Sequence, residues 1–223
     1  RKAALDYHRL PRPGKLAIEP TKRMAQGLLA AGILLIATSA YNLTIGDQLA
    51  GDKQQQAAEV VPLEITGSAT SESALKIGDI FAKFSAPRLG ANYVREIAEG
   101  TSLEKVLNKV GIGHYTSTQM PGEIGNFAIA GHRAGNGGPM RNIDKFVAGD
   151  LAYVVTATKK FTYRYLETKI VAPTELGVIN PVPAGLKAKS VSGKYLTLTS
   201  CTPIYVNTNR IIVWFEQVEE QDR

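Results

Sequence analysis

With 44% hydrophobic and 21% charged residues in a chain of 223, there is room for one ordinary domain plus appendages, and wholesale disorder is excluded. The net charge of +6 would suit a nucleic-acid partner, but seven of the Lys/Arg lie in residues 1–23 against only Asp6 and Glu19. The basic character therefore belongs to a tail, the remainder is almost neutral, and no nucleic acid is expected as a partner. A single cysteine, Cys201, excludes an internal disulfide, and His8, His114 and His132 are too dispersed for a structural metal site.

Residues 1–23 form the basic tail, and residues 24–45 carry no charge at all. As a helix rising about 1.5 Å per residue, those positions reach roughly 33 Å, enough to cross a hydrocarbon core of about 30 Å. Lys22 and Arg23 precede the run and Asp47 and Asp52 follow it, which predicts a single-pass anchor with its N-terminus in the cytoplasm. A cleaved signal peptide is the rival reading. The length of the run and of the basic arm before it argue against that, and Ala37-Thr38-Ser39-Ala40 is a poor cleavage site. Residues 46–75, rich in Gln, Ala, Ser, Thr and Glu, read as an extracytoplasmic linker too polar to pack.

Residues 76–219 read as a mainly β domain with short helices. Strands are predicted over 80–84, 93–97, 126–130, 151–157, 161–171, 195–199 and 210–218, several of them alternating apolar and polar residues. Ala86-Pro87, Pro121-Gly122, the glycine-rich stretch 135–139 and Asn180-Pro181 supply turns. One helix should start at Ser102, with Leu103, Val106, Leu107 and Val110 at helical spacing, and a second should cover 140–146. Many short strands with turn punctuation point to a barrel or a sandwich.

Three residues carry the chemical interest. Cys201 ends a strand in which Leu196 and Leu198 face one side while Thr197, Thr199 and Cys201 face the other. Its thiol thus shares the hydroxyl face. A lone cysteine packed as a small hydrophobe is the competing reading. His132 follows an apolar strand and precedes a glycine loop, a place where catalytic groups collect, though a turn histidine fits equally. His114, in Gly113-His114-Tyr115, competes with it, and the residues alone do not choose between them. Arg210 opens the last strand nine positions after Cys201, so a hairpin would bring its guanidinium near the cysteine; a merely solvated arginine is the alternative. Together, a thiol, an imidazole and a cationic donor make an acyl-transfer site.

At these residues the chain resembles the sortase family, most closely the class E housekeeping sortases of actinobacteria. Thr197-Leu198-Thr199-Ser200-Cys201 is similar to the family's TLxTC signature, with Ser200 in place of the second Thr. Residues 127–133, ending in His132-Arg133, resemble the strand that leads to the family's histidine, and the stretches 113–115 and 120–126 are similar to what precedes it in class E. Arg210 falls where the family has its arginine.

The resemblance implies a closed eight-stranded β-barrel behind one transmembrane helix and a linker, outside a bacterial cell membrane. It implies Cys201, His132 and Arg210 as catalytic, and Tyr115, His114, Thr199 and Ser200 as groove residues, with Tyr115 near the second motif position. Secreted proteins with LAxTG- or LPxTG-type sorting signals would be the substrates, and an amine of a peptidoglycan precursor the acceptor. No cofactor is expected, and no metal, since the loop 172–194 offers only Glu175 as an acid. Two other readings stand beside this one. An L,D-transpeptidase would place Ser-His-Gly before its cysteine, where this chain has Leu198-Thr199-Ser200; a tethered β-barrel binding module would bury Cys201.

Overall fold

The computed structural model describes residues 19–60, 75–187 and 189–223. Most of the expected basic tail and the second half of the expected linker lie outside the described residues. The chain divides between Asn42 and Leu43 into two compact units.

The first unit holds helix α1 (Glu19–Tyr41). Leu28, Leu29, Ile33, Leu34, Leu35 and Ile36 are all exposed, so apolar side chains cover the helix. A helix that presents apolar side chains on every side is suited to lipid. Most of α1 belongs to the one described helical run, Lys22–Glu59, with the length and hydropathy to cross a membrane.

The second unit starts at Leu43 and holds helix α2 (Asp47–Val60) and a closed barrel. Its strands are β1 (Ile80–Ser85), β2 (Val94–Glu99), β3 (Ile112–His114), β4 (Gly125–Gly131), β5 (Leu151–Val155), β6 (Lys159–Val171), β7 (Lys194–Thr202) and β8 (Asn209–Asp222). Around the barrel they run β1-β2-β3-β4-β7-β8-β6-β5. Neighbours are antiparallel except β2 with β3 and β4 with β7.

Period-two alternation fills the interior. Phe127 and Ile129 from β4, Leu196 and Leu198 from β7, and Ile211, Val213 and Phe215 from β8 share one core with Phe84, Ile97 and Ile112. Each such side chain contributes about 1.5–3 kcal/mol on burial. The opposite face of β8 is also covered: Ile212 and Trp214 pack with Tyr195, Val178 and Leu186, and the Trp214 indole donates to Val178 O at 3.1 Å. Cover on both faces explains why this strand reads as an unbroken apolar run.

Three expectations are corrected. The 46–75 segment was read as too polar to pack, yet residues 47–60 are helical and bury Asp47, Gly51, Gln54 and Ala58 against the barrel. Those four recur at helical spacing, so the packed stripe exists but is made of polar and small residues. The helix expected over 140–146 is reduced to one tight turn at Ile143–Lys145, because Met140, Ile143 and Phe146 bury at a spacing of three. Strand β3 lies where no strand was expected.

Candidate active site

The register brings three strand ends together. Strand β4 runs parallel to β7 with Ala130 beside Thr199, and one step on the Ser200 hydroxyl donates to Gly131 O at 2.7 Å. His132 follows Gly131 at the end of β4, as Cys201 follows Ser200 in β7. Across the antiparallel β7–β8 pair, Cys201 stands directly opposite Arg210. Residues far apart in sequence thus occupy one end of three adjacent strands, as the hairpin argument anticipated for Arg210.

Cys201 is a free thiol, partly exposed. Its neighbours in the strand follow the expected alternation: Leu196 and Leu198 enter the barrel core, while the Thr199 hydroxyl meets the Tyr115 hydroxyl at 2.9 Å on the other face. Beyond that hydroxyl pair, a hollow of about 80 Å³ is bounded by Tyr115, Thr199, Arg210, Ile212, Leu176 and Val178. Its floor is strand and its wall is the loop after β6. That loop is tied down by Asn126, which donates to Asn180 O at 3.1 Å and accepts from Thr197 at 2.7 Å.

His132 is half-buried, and its Nε2–H donates to Asn108 Oδ1 at 2.9 Å. Burial pushes the imidazole below the ordinary histidine range, and the Asp47 carboxylate acts in the opposite direction. Arg133, next in the chain, locks the backbone. Its guanidinium, almost fully buried, pairs with Asp144 at 2.8 Å, donates to Arg141 O at 2.9 Å and reaches the Thr202 hydroxyl at 3.3 Å. The residue after the histidine is therefore bonded to the residue after the cysteine. Arg210 is partly exposed; its Nη1 donates to Asn207 O at 3.2 Å and Asn209 O at 3.0 Å, folding the guanidinium over the turn that joins β7 to β8.

Two expected groove residues are misplaced. His114 is 2% exposed, packed on Phe127 with ring centroids 5.0 Å apart, and its Nδ1 meets Glu99 Oε2 at 2.8 Å. It has no open edge for a substrate. Ser200 is 4% exposed and spends its hydroxyl on Gly131, on the core side of β7 and opposite the thiol. Tyr115 and Thr199 do border the hollow. Sequence reasoning missed Asn108 and Asp47, which act on His132 or on its loop. Asn108 closes the helical turn that Ser102 opens, and a cap position was the only hint of it.

The model of the sortase domain family matches residues 84–218, more than half of the chain. The chain belongs to the sortase family. Sortases are cysteine transpeptidases. This sortase is 34% identical over 223 residues to Sortase SrtE1 of Streptomyces coelicolor, covering 96% of this chain but 62% of that protein. It therefore spans less than two thirds of that relative's length. With Sortase SrtE2 of the same organism the identity is 29% over 226 residues, covering 94% and 87% respectively. The crystal structure of sortase E1 from Streptomyces coelicolor with a tripeptide in its active site superposes with a TM-score of 0.62 at 39% identity, over 67% of this chain and 94% of that one. Sortase E from Streptomyces avermitilis gives 0.59 at 37%, over 66% and 93%.

Proposed function

We propose that this sortase cuts a C-terminal sorting signal of LAxTG or LPxTG type between Thr and Gly and passes the new acyl group to a cell-wall amine. The observation that supports this most is the register that sets Cys201 opposite Arg210 across β7 and β8, with Arg210 and Thr199 bordering a hollow wide enough for a side chain.

Cys201 Sγ, as thiolate, attacks the Thr carbonyl carbon; the C–S bond forms as the carbonyl π pair moves onto oxygen. Arg210 turns its remaining N–H groups to that oxygen, where charge develops. As the tetrahedral species collapses, the C–N bond breaks and His132 gives a proton to the departing glycine amine. Asn108 occupies Nε2, so Nδ1 is the ring nitrogen that carries this proton. An incoming amine from a peptidoglycan precursor then loses a proton to the same nitrogen and displaces the thiolate, leaving an amide. The Tyr115–Thr199 hydroxyl pair borders the hollow that takes the second motif side chain.

The same proposal covers placement. Residues 1–23 form a cytoplasmic tail and 24–45 a membrane anchor, with the catalytic barrel, 76–219 as read from the sequence, outside a bacterial cell. The basic pair Lys22 and Arg23 before the apolar run supports that orientation.

The test is cleavage of a quenched LAxTG peptide by the full chain in detergent micelles, with an added amine as acceptor. Cys201→Ala should abolish it, and mass spectrometry should trap an acyl adduct on Cys201 of the parent. Turnover that survives Cys201→Ala would end the proposal.

A further inference from the structure

Strand geometry does not account for how the imidazole of His132 is held, because the ring lies beyond the end of β4. The chain leaves His132 in a loop with an unusual backbone. Gly135, Asn136, Gly137 and Gly138 have φ of +76°, +50°, +83° and +47° in succession. A run of left-handed residues turns its N–H groups to one side and forms a concavity suited to an anion. That anion is supplied by α2. Asp47, at the first position of the helix and 7% exposed, accepts from Gly135 N and Gly137 N at 3.0 Å each, and pairs with the Arg141 guanidinium.

Further along α2 the fit is close. Gln54 donates to Asn136 O at 3.0 Å, and Gly51 touches Gly137 so nearly that a Cβ on Gly137 would stand 2.8 Å from Gly51 N. Gly137 has no room for a side chain here, and a Cβ on Gly51 would stand a tight 3.1 Å from Gly137 O.

From the loop the contacts pass to the ring. Asn136 Nδ2 donates to Asn108 Oδ1 at 3.2 Å, and the same oxygen accepts from His132 Nε2 at 2.9 Å. One carbonyl oxygen thus joins the loop that α2 grips to the imidazole.

We propose that α2 is a working part of the active site: Asp47 fixes the 135–138 loop, and Asn108, held by Asn136 of that loop, sets the angle of the His132 imidazole. Asp47 and Asn108 are positioning residues, not catalytic ones, since neither reaches the reacting atoms. The helix that the sequence presents as part of a stalk is in this account the device that orients the proton carrier. The Asp47 charge acts in the same sense by favouring the protonated ring.

This inference rests on His132 being the proton carrier, and the experiment separates the two. The full chain in detergent micelles is assayed for peptide cleavage as the parent and as His132→Ala, Asp47→Ala, Asn108→Leu and Asn108→Asp. Misplacing a catalytic group costs roughly tenfold to a hundredfold, so kcat should fall by that much in Asp47→Ala and Asn108→Leu while KM stays close to the parent's. Asn108→Asp keeps the acceptor oxygen and should restore most of the lost rate, which a merely structural side chain would not require. The Asp47→Ala and Asn108→Leu losses should also fail to add in the double variant, because both act through one ring.

If His132→Ala is inactive while Asp47→Ala and Asn108→Leu keep the parent kcat, the inference fails and the proposed function stands. If His132→Ala stays active, the assignment of His132 fails and takes the inference with it. Should Asp47→Ala not fold, the exposed Asn108 pair decides: loss in Asn108→Leu with rescue in Asn108→Asp supports the inference, and loss without rescue overturns it.

Discussion

Two histidines stand near each other in the sequence and in the barrel, and the contrast between them shows how this fold separates structure from chemistry. His114 ends β3 and is enclosed: Phe81 and Phe127 flank its ring, Glu99 meets Nδ1, and Thr118 and the Gln119 carbonyl meet Nε2. Both nitrogens are occupied and almost no surface is left. His132, two positions past the end of the β4 pairing with β7, is half-buried and has Nε2 held by Asn108. The residue type is the same. Whether the strand beneath the ring has ended decides what the ring can do.

The largest effect expected from that contrast is on turnover. His132→Ala should cost about a thousandfold or more in peptide cleavage, on the scale seen when one member of a nucleophile–base pair is removed, with an unchanged unfolding midpoint. His114→Ala should leave the rate per folded molecule close to the parent's. A dead, well-folded His114→Ala would reverse the assignment.

Stability should show the opposite order. Removing His114 leaves the buried Glu99 side chain without its hydrogen-bond partner, and an unsatisfied buried polar group costs about 1–3 kcal/mol. The His114→Leu/Glu99→Leu double variant should recover part of that loss, because it leaves no unpartnered polar side chain. Denaturant midpoints of the three proteins measure this. Equal midpoints for His114→Ala and His132→Ala would mean that Glu99 finds other partners.

The arginines divide in the same way. Arg133 is buried and joins the ends of β4 and β7 through Asp144, Arg141 and Thr202, while Arg210 lies partly exposed at the mouth of the hollow. Arg210→Ala should lower kcat/KM by about a hundredfold to a thousandfold, the range for loss of an oxyanion donor, with little change in stability. Arg210→Lys should restore little, since an ammonium lacks the planar fork. Arg133→Ala should be read first in the unfolding midpoint.

How much of this was legible in the sequence depends on what each feature is made of. The alternation in 195–201 put the thiol opposite the leucines, and that alternation is visible because one face is apolar. Strand β3 was hidden because Ile112-Gly113-His114 has no period of its own; it exists by pairing with β2 and β4, and Gly113 is required because a Cβ there would meet Gly100 O at 2.2 Å. Helix α2 was missed for a related reason. Its buried stripe is Asp47, Gly51, Gln54 and Ala58, which no hydrophobic pattern marks, because it packs on backbone amides and glycines in place of a greasy core. His114 was misread as a groove residue since Gly113-His114-Tyr115 alternates: Tyr115 reaches the hollow, and its neighbour must then turn inward.

The smallest effect concerns pH and belongs to His132. Burial disfavours its charged form, so the folded protein holds this proton less readily than the unfolded chain does. Between the lowered value and the ordinary one near about 6.5, the unfolded chain binds more protons, and stability rises with pH. The contribution is therefore complete above the ordinary histidine value and is lost as pH falls through it toward the lowered one. Denaturant midpoints measured from about pH 8 to pH 5 should drop less for His132→Gln than for the parent, since glutamine has no such proton to take up. The sign can be sharpened by NMR titration of the ring. Asp47 favours the charged form, so Asp47→Asn should move the His132 titration to still lower pH, and a move upward would mean that the α2 carboxylate does not act on this ring.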